Sequence, residues 1–108
     1  MRIRKIPTSV PLSLDEDEIV LIAKISDALA HPARVRILRF ITDKNRKLEI
    51  VYNKTVVEEL GYAQATISQH LNTLVHAGLV ESRKQEKFTC YYANVGKLGL
   101  YLNTLKKF

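Results

Sequence analysis

With 108 residues the chain is long enough for one domain with a modest core, which association with a second chain would usefully extend. Lys and Arg number 17 against 11 Asp and Glu, giving a net charge of +6 and a pI near 9.6. That balance points to nucleic acid, with an anionic membrane or an acidic protein as alternatives, and the single cysteine, Cys90, excludes an internal disulfide.

Residues 1–12 carry Arg2, Arg4 and Lys5 together with Pro7 and Pro11, and read as a flexible basic arm ahead of one folded domain, residues 13–108. No apolar signal-peptide core follows these cations, and no stretch approaches the roughly 18 apolar residues of a membrane span. A cytoplasmic protein that does not enter a membrane is expected, and one cysteine suits a reducing compartment. Ser13 with Glu16 three residues on has the spacing of a capping box, and the acids Asp15 to Glu18 complement the start of a helix. Ile19, Ile22, Ile25 and Leu29 mark its apolar stripe, which Val20, Leu21 and Ala23 widen beyond what one small domain covers. His31-Pro32 ends this helix, and Pro32 opens a second with Val35, Leu38 and Ile41 toward the core. Arg34, Arg36 and Arg39 lie on its other sides, for phosphate or for solvent. Asp43 to Arg46 reads as a polar break, and Lys47 to Tyr52 is β-prone enough for a short strand.

Thr55 to Gly78 reads as two short helices joined by a tight turn, with Thr55 and Glu58 as a capping box and Gly61 and Gly78 as stops. In the second, Ile67, Leu71 and Leu74 form an inward stripe. At 100° per residue, Ala65, Gln69, Asn72, Thr73 and His76 then face out, Thr66, Ser68 and His70 lie on the flanks, and Gln64 falls nearer the buried side. Gln and Asn pair with adenine edges, and Ser or Thr with several edges, so Gln64, Thr66, Ser68, Gln69, Asn72 and Thr73 are the candidate base-reading set. Ser68 and His70 are placed equally for phosphate or for bonds between the two helices. This stretch carries two acids and no Lys or Arg, whereas residues 31–54 carry seven cations and residues 79–108 carry six. Attraction for phosphate must therefore come from flanking elements.

Leu79 to Arg83 and Phe88 to Ala93 are β-prone runs around Lys84-Gln85-Glu86-Lys87, a hairpin with Arg83, Lys84 and Lys87 as phosphate-contacting cations and Cys90 as a small apolar residue beneath. Asn94 caps a last helix in which Leu98, Tyr101, Leu102, Leu105 and Phe108 share one face. Gly96 and Gly99 weaken it, so packing must hold it.

The segments Ala28-Leu29-Ala30-His31-Pro32-Ala33-Arg34-Val35-Arg36-Ile37-Leu38, Gln64-Ala65-Thr66-Ile67-Ser68-Gln69-His70-Leu71 and Ala77-Gly78-Leu79-Val80 resemble the ArsR/SmtB family of winged helix-turn-helix repressors, over about residues 19–105. The resemblance implies a mainly α fold with a small β wing, in the order α-α-(β)-α-α-β-β-α. It also implies a homodimer through the first and last helices, with Ile19, Ile22, Leu98, Tyr101, Leu102 and Leu105 at the interface, and a repressor of double-stranded DNA acting on a palindromic operator. Four departures stand out. The family's third-helix cysteine motif would fall near Val56 to Leu60, which has no Cys, and its last-helix metal site needs Asp and His within residues 94–108, which has neither. Ala63 replaces the Ser that commonly caps the reading helix, and the wing turn has no glycine. No metal, no cofactor and no enzymatic activity are expected, and the effector stays open. A protein-interaction module and a metal- or thiol-responsive sensor are the alternatives.

Overall fold

The computed structural model describes residues 13–108 as α1 (Glu16–Ala28), α2 (Pro32–Arg46), α3 (Asn53–Leu60), α4 (Gln64–His76), β1 (Val80–Gln85), β2 (Phe88–Ala93) and α5 (Val95–Leu105). The basic arm, residues 1–12, lies outside the described residues. The core draws Ile25 from α1, Ile37 and Ile41 from α2, Val56 from α3, and Ile67, Leu71 and Leu74 from α4, with Leu79 and Val80 at the base of the wing. The expected architecture of five helices and one antiparallel hairpin is present.

Several helix ends differ from expectation, each for a local reason. α1 is capped by Asp15, not Ser13: the Asp15 carboxylate accepts the Glu18 N–H at 2.8 Å, and Glu18 accepts the Asp15 N–H at 3.2 Å. The two pairs have the same spacing, and the charged cap makes the stronger bond. Glu18 also pairs with Lys107 at 2.5 Å, which together with the capping bond holds its carboxyl below the usual carboxylate range and ties the start of α1 to the end of α5. In α2, Leu38 and Ile41 are buried as expected, but Val35 is 47% exposed, and Ala33 and Ile37 complete the core line. Steps of three residues drift 60° per step around a helix and steps of four only 40°, so the 33/37/41 row stays on one face while 35/38/41 does not.

α2 also runs through the expected polar break to Arg46. It closes where the Leu48 N–H reaches Asn45 C=O and the Glu49 N–H reaches Lys44 C=O, both at 3.0 Å, the paired bonds of a Schellman ending. That ending consumes the start of the expected strand. Of Lys47 to Tyr52, only Tyr52 pairs, in a single bridge to Cys90, and Val51 C=O accepts the Tyr91 N–H at 2.9 Å. Tyr52, held there, sets the entry to α3 at Asn53. Thr55 is thus inside the first turn with its Oγ1 accepting the Tyr52 N–H at 3.1 Å, and Glu58 faces Lys54 at 3.8 Å instead of closing a box with Thr55.

Leu48 sits at φ +61°, the left-handed position that glycine occupies without strain, yet its side chain is 92% exposed. Leu48→Gly is expected to raise stability by about 0.5–1 kcal/mol, the left-handed penalty less the added freedom of the unfolded chain. The check is the midpoint of urea unfolding, which should move up at constant slope.

Strand register runs from Val80↔Ala93 to Gln85↔Phe88 and leaves a two-residue turn, Glu86-Lys87, with Glu86 at φ +57° in the place a glycine would take. Asn94 caps α5 as expected, its Oδ1 accepting the Lys97 N–H at 3.0 Å. α5 lies across α1, where the hydroxyls of Ser26 and Tyr101 are 2.8 Å apart. Leu98 and Tyr101 pack on the protomer's own core, and Ile22 and Leu105 are half-buried. Ile19, Val20, Leu100 and Leu102 are exposed.

Candidate nucleic-acid interface

Ile67, Leu71 and Leu74 are fully buried, which turns the opposite side of α4 to solvent. Gln64, Gln69 and Asn72 are exposed, and Thr66, Ser68, His70 and Thr73 are half-buried. Gln64 lies further out than the helical projection implies, because it is the first helical residue, one turn ahead of the stripe. Ala63 supplies no side-chain cap. The Thr73 hydroxyl donates to Gln69 C=O at 3.1 Å, so its methyl is the part left to meet a ligand.

Two of the candidate residues hold the reading helix in place. Asn53, at the start of α3, donates its Nδ2–H to Ser68 Oγ at 2.9 Å, which joins the two helices and leaves the Ser68 hydroxyl proton for another acceptor. His70 turns toward α2, its ring 4.7 Å from that of His31 and its Nδ1 3.5 Å from an Arg34 Nη. Arg34 also donates from Nε to Ala28 C=O at 2.6 Å and from its other Nη to Asp27 C=O at 3.2 Å. One guanidinium thus satisfies two carbonyls at the C-terminal end of α1 while touching α4. His31 caps α2, its Nδ1 accepting the Ala33 N–H at 3.1 Å. Burial, with smaller contributions from His31 and Arg34, lowers the pKa of His70 below its ordinary 6.5. For His70, of the two roles open in the sequence, the contacts are those of a residue fixing helices together.

Arg36 and Arg39 of α2 are engaged as well: Arg36 donates to the Tyr62 hydroxyl at 2.8 Å, and Arg39 pairs with Asp43 at 3.0 Å. On the wing, Arg83 lies over the Tyr92 ring at 4.7 Å and pairs with Glu81 at 3.1 Å. Lys84 and Lys87 extend into solvent. Cys90 is buried, as expected, with its thiol directed at Gln85 Oε1 at 3.4 Å. Among the described residues, no three His, Cys, Asp or Glu side chains converge as a metal site would require, and no helix is long and apolar enough to cross a membrane.

Sequence reasoning passed over Asn53, Phe88 and the joint role of Arg34 and His31. Asn53 and Ser68 are 15 residues apart, and Arg34 and His70 are 36 apart, so no local spacing announces either pair. Phe88 was readable only as a strand residue, yet it is 61% exposed beside the wing turn.

Residues 29–83 match the family model described as a helix-turn-helix domain. An uncharacterised HTH-type transcriptional regulator of Methanocaldococcus jannaschii is 34% identical over 70 residues, 65% of this chain and 74% of that protein. Among solved structures, an ArsR-like transcriptional regulator from Rhodococcus sp. RHA1 superposes with a TM-score of 0.75 at 25% identity, covering 84% of this chain and 81% of that one. The homodimeric winged helix-turn-helix DNA-binding domain of a possible ArsR-family regulator from Mycobacterium bovis shares the fold, with a TM-score of 0.67 at 19% identity over 87% and 86% of the two chains. With two helices joined at Gly61 to Ala63, a hairpin wing directly after the second and a framing pair α1/α5, the chain belongs to the helix-turn-helix domain family as a winged transcriptional regulator of the ArsR type.

Proposed function

We propose that the protein acts in the cytoplasm as a repressor, a homodimer that binds a palindromic double-stranded operator sequence-specifically and uses none of the family's usual metal sites. The observation that carries this reading is the exposed amides Gln69 and Asn72 on the outer face of a helix whose inner face is fully buried, with Gln64 exposed at its first turn, set beside a wing tipped by Lys84 and Lys87. The amides suit base edges and the flexible cations suit phosphate, a division of labour between specificity and affinity. Exposed apolar side chains on α1 and α5 support the dimer, and a two-fold axis between identical reading helices makes the operator palindromic, with half-sites about one DNA turn or a multiple of it apart.

Selecting bound fragments from genomic DNA tests this directly, followed by a salt titration on the best fragment. Gln69→Ala is expected to lose about 1–3 kcal/mol at one or two base positions per half-site, measured across an operator library. Lys84→Ala should weaken all sequences alike and flatten the salt dependence by roughly one unit per subunit. Binding that ignores salt, or a sequence preference untouched in both Gln69→Ala and Gln64→Ala proteins that fold and dimerise normally, sinks the reading in favour of a protein-interaction module.

A further inference from the structure

Val35, Leu38, Arg39, Thr42 and Arg46 of α2 line a cavity of about 350 Å³, with Leu29 at the end of α1 and Leu98 of α5 completing its wall. At 100° per residue these α2 positions share one face, turned away from Ala33 and Ile37. Val35, expected in the core, is 47% exposed because it borders this cavity. The lining is largely aliphatic: Leu38 is buried, and Leu29 and Leu98 pack against the core. Thr42 adds a methyl, since its hydroxyl donates to Leu38 C=O at 2.7 Å. The polar part is two guanidinium groups that share one carboxylate. Arg39 donates from Nε to Asp43 at 3.0 Å, and an Arg46 Nη stands 4.0 Å from the same carboxylate, beyond hydrogen-bond reach. Asp43 does not itself line the cavity, so one positive charge and most of the N–H donors of the two arginines are left for something else.

We infer that this cavity binds a small apolar carboxylate and that its binding changes operator affinity. The hydrocarbon body lies against Leu29, Val35, Leu38 and Leu98, and the carboxylate meets Arg39 and Arg46. A guanidinium fork matches a carboxylate bidentately, and a concave apolar site with a few convergent polar groups is the usual form of a small-molecule site. The surplus is a single charge, which favours a monoanion over a nucleotide or polyphosphate. No residue of α4 or of the wing lines the cavity, so its occupant is not DNA. The effect on the operator rests on the DNA-binding reading above. Leu98 belongs to α5, one of the two helices offered to the dimer, whereas α2 carries the Arg34 contact to His70 of the reading helix. A ligand seated between α5 and α2 favours one spacing of the two reading helices over another, and the operator shifts ligand affinity by the same factor.

The test titrates the intact protein calorimetrically, without DNA, using hexanoate and benzoate as chain and ring probes and hexan-1-ol and benzyl alcohol as their uncharged counterparts. At least one acid is expected to saturate at one per protomer and to bind about tenfold or more tighter than its alcohol, the difference a charge-assisted pair supplies. Arg39 and Arg46 have side chains 76% and 71% exposed, so Arg39→Gln with Arg46→Gln should spare the fold and abolish the preference for acid over alcohol. Val35→Phe, which fills the cavity from an exposed position, should weaken acid and alcohol alike by about tenfold. Operator affinity at saturating probe should change by about fivefold or more. No saturable binding of either acid up to about 10 mM, or acid and alcohol binding equally, overturns the site. Saturable, arginine-dependent binding with unchanged operator affinity overturns the coupling. A protein that binds the acid but no DNA fragment with steep salt dependence overturns the DNA-binding reading instead and leaves the site standing.

Discussion

Leu102→Glu is expected to leave the protein monomeric at micromolar concentration and to reduce operator affinity by at least about a hundredfold. Leu102 is 53% exposed on α5, and Leu100 on the same helix and Ile19 and Val20 on α1 are exposed as well. None of these four belongs to the protomer's own core, so the substitution spares folding while placing a carboxylate in what would be a desolvated contact. The two-fold repeats the insult, since each copy brings its own Glu to an interface that uses the same patch twice. Affinity falls because a dimer binds its second half-site as an intramolecular event, an advantage of about 10²–10⁴ that a monomer lacks. Sedimentation velocity and a binding titration on full and half operators measure both effects. A Leu102→Glu protein that still sediments as a dimer places the interface elsewhere, and one that is monomeric yet binds the full operator undiminished separates dimerisation from recognition.

Much of the fold was legible because its signals are local. The Ile67/Leu71/Leu74 stripe, the glycines at the ends of α3 and the α4 turn, the Asn94 cap and the second strand of the wing all act within a few residues and appear where the spacing places them, whereas the first strand takes in Lys84 and Gln85 of the expected turn because they pair with Thr89 and Phe88. The errors arise where two local signals compete or where a distant contact decides. Ser13 and Asp15 offer equivalent caps, and a charge-assisted bond and the ion pair with Lys107 favour the second. Lys47 to Tyr52 has strand propensity, yet the ending of α2 takes its first residues, and β2 pairs with its last one alone. The candidate site divides the same way. Outward positions on α4 follow from helical geometry, so Gln69 and Asn72 were readable. The inward turn of His70 depends on Arg34, 36 residues earlier, and no pattern in one sequence reveals that partner.

That inward contact gives the second large effect, a loss of stability in mild acid. His70 Nδ1 faces an Arg34 Nη at 3.5 Å and its ring lies 4.7 Å from that of His31, so the arrangement favours an uncharged imidazole with Nδ1 as acceptor. Burial first, and then the neighbouring His31 and Arg34, lower the folded-state pKa of His70 below 6.5. In the unfolded chain the group takes its proton near 6.5, so on acidification the unfolded state binds protons before the folded state does. The contribution of neutral His70 is therefore fully present above about pH 6.5 and is lost as pH falls from there through the folded-state pKa. The urea midpoint should drop over that window. In His70→Asn, whose Oδ1 accepts from Arg34 without titrating, the drop should be smaller. Arg34→Ala should cost about 2 kcal/mol at neutral pH, because the Asp27 and Ala28 carbonyls lose a charged donor at the end of α1. It should also shrink the acid-dependent part, since a cation facing His70 is gone. Unfolding curves measured from pH 7.5 to 5 for the three proteins decide it: equal pH slopes in the unaltered and His70→Asn chains would show that the imidazole is not what couples α1 and α2 to the reading helix.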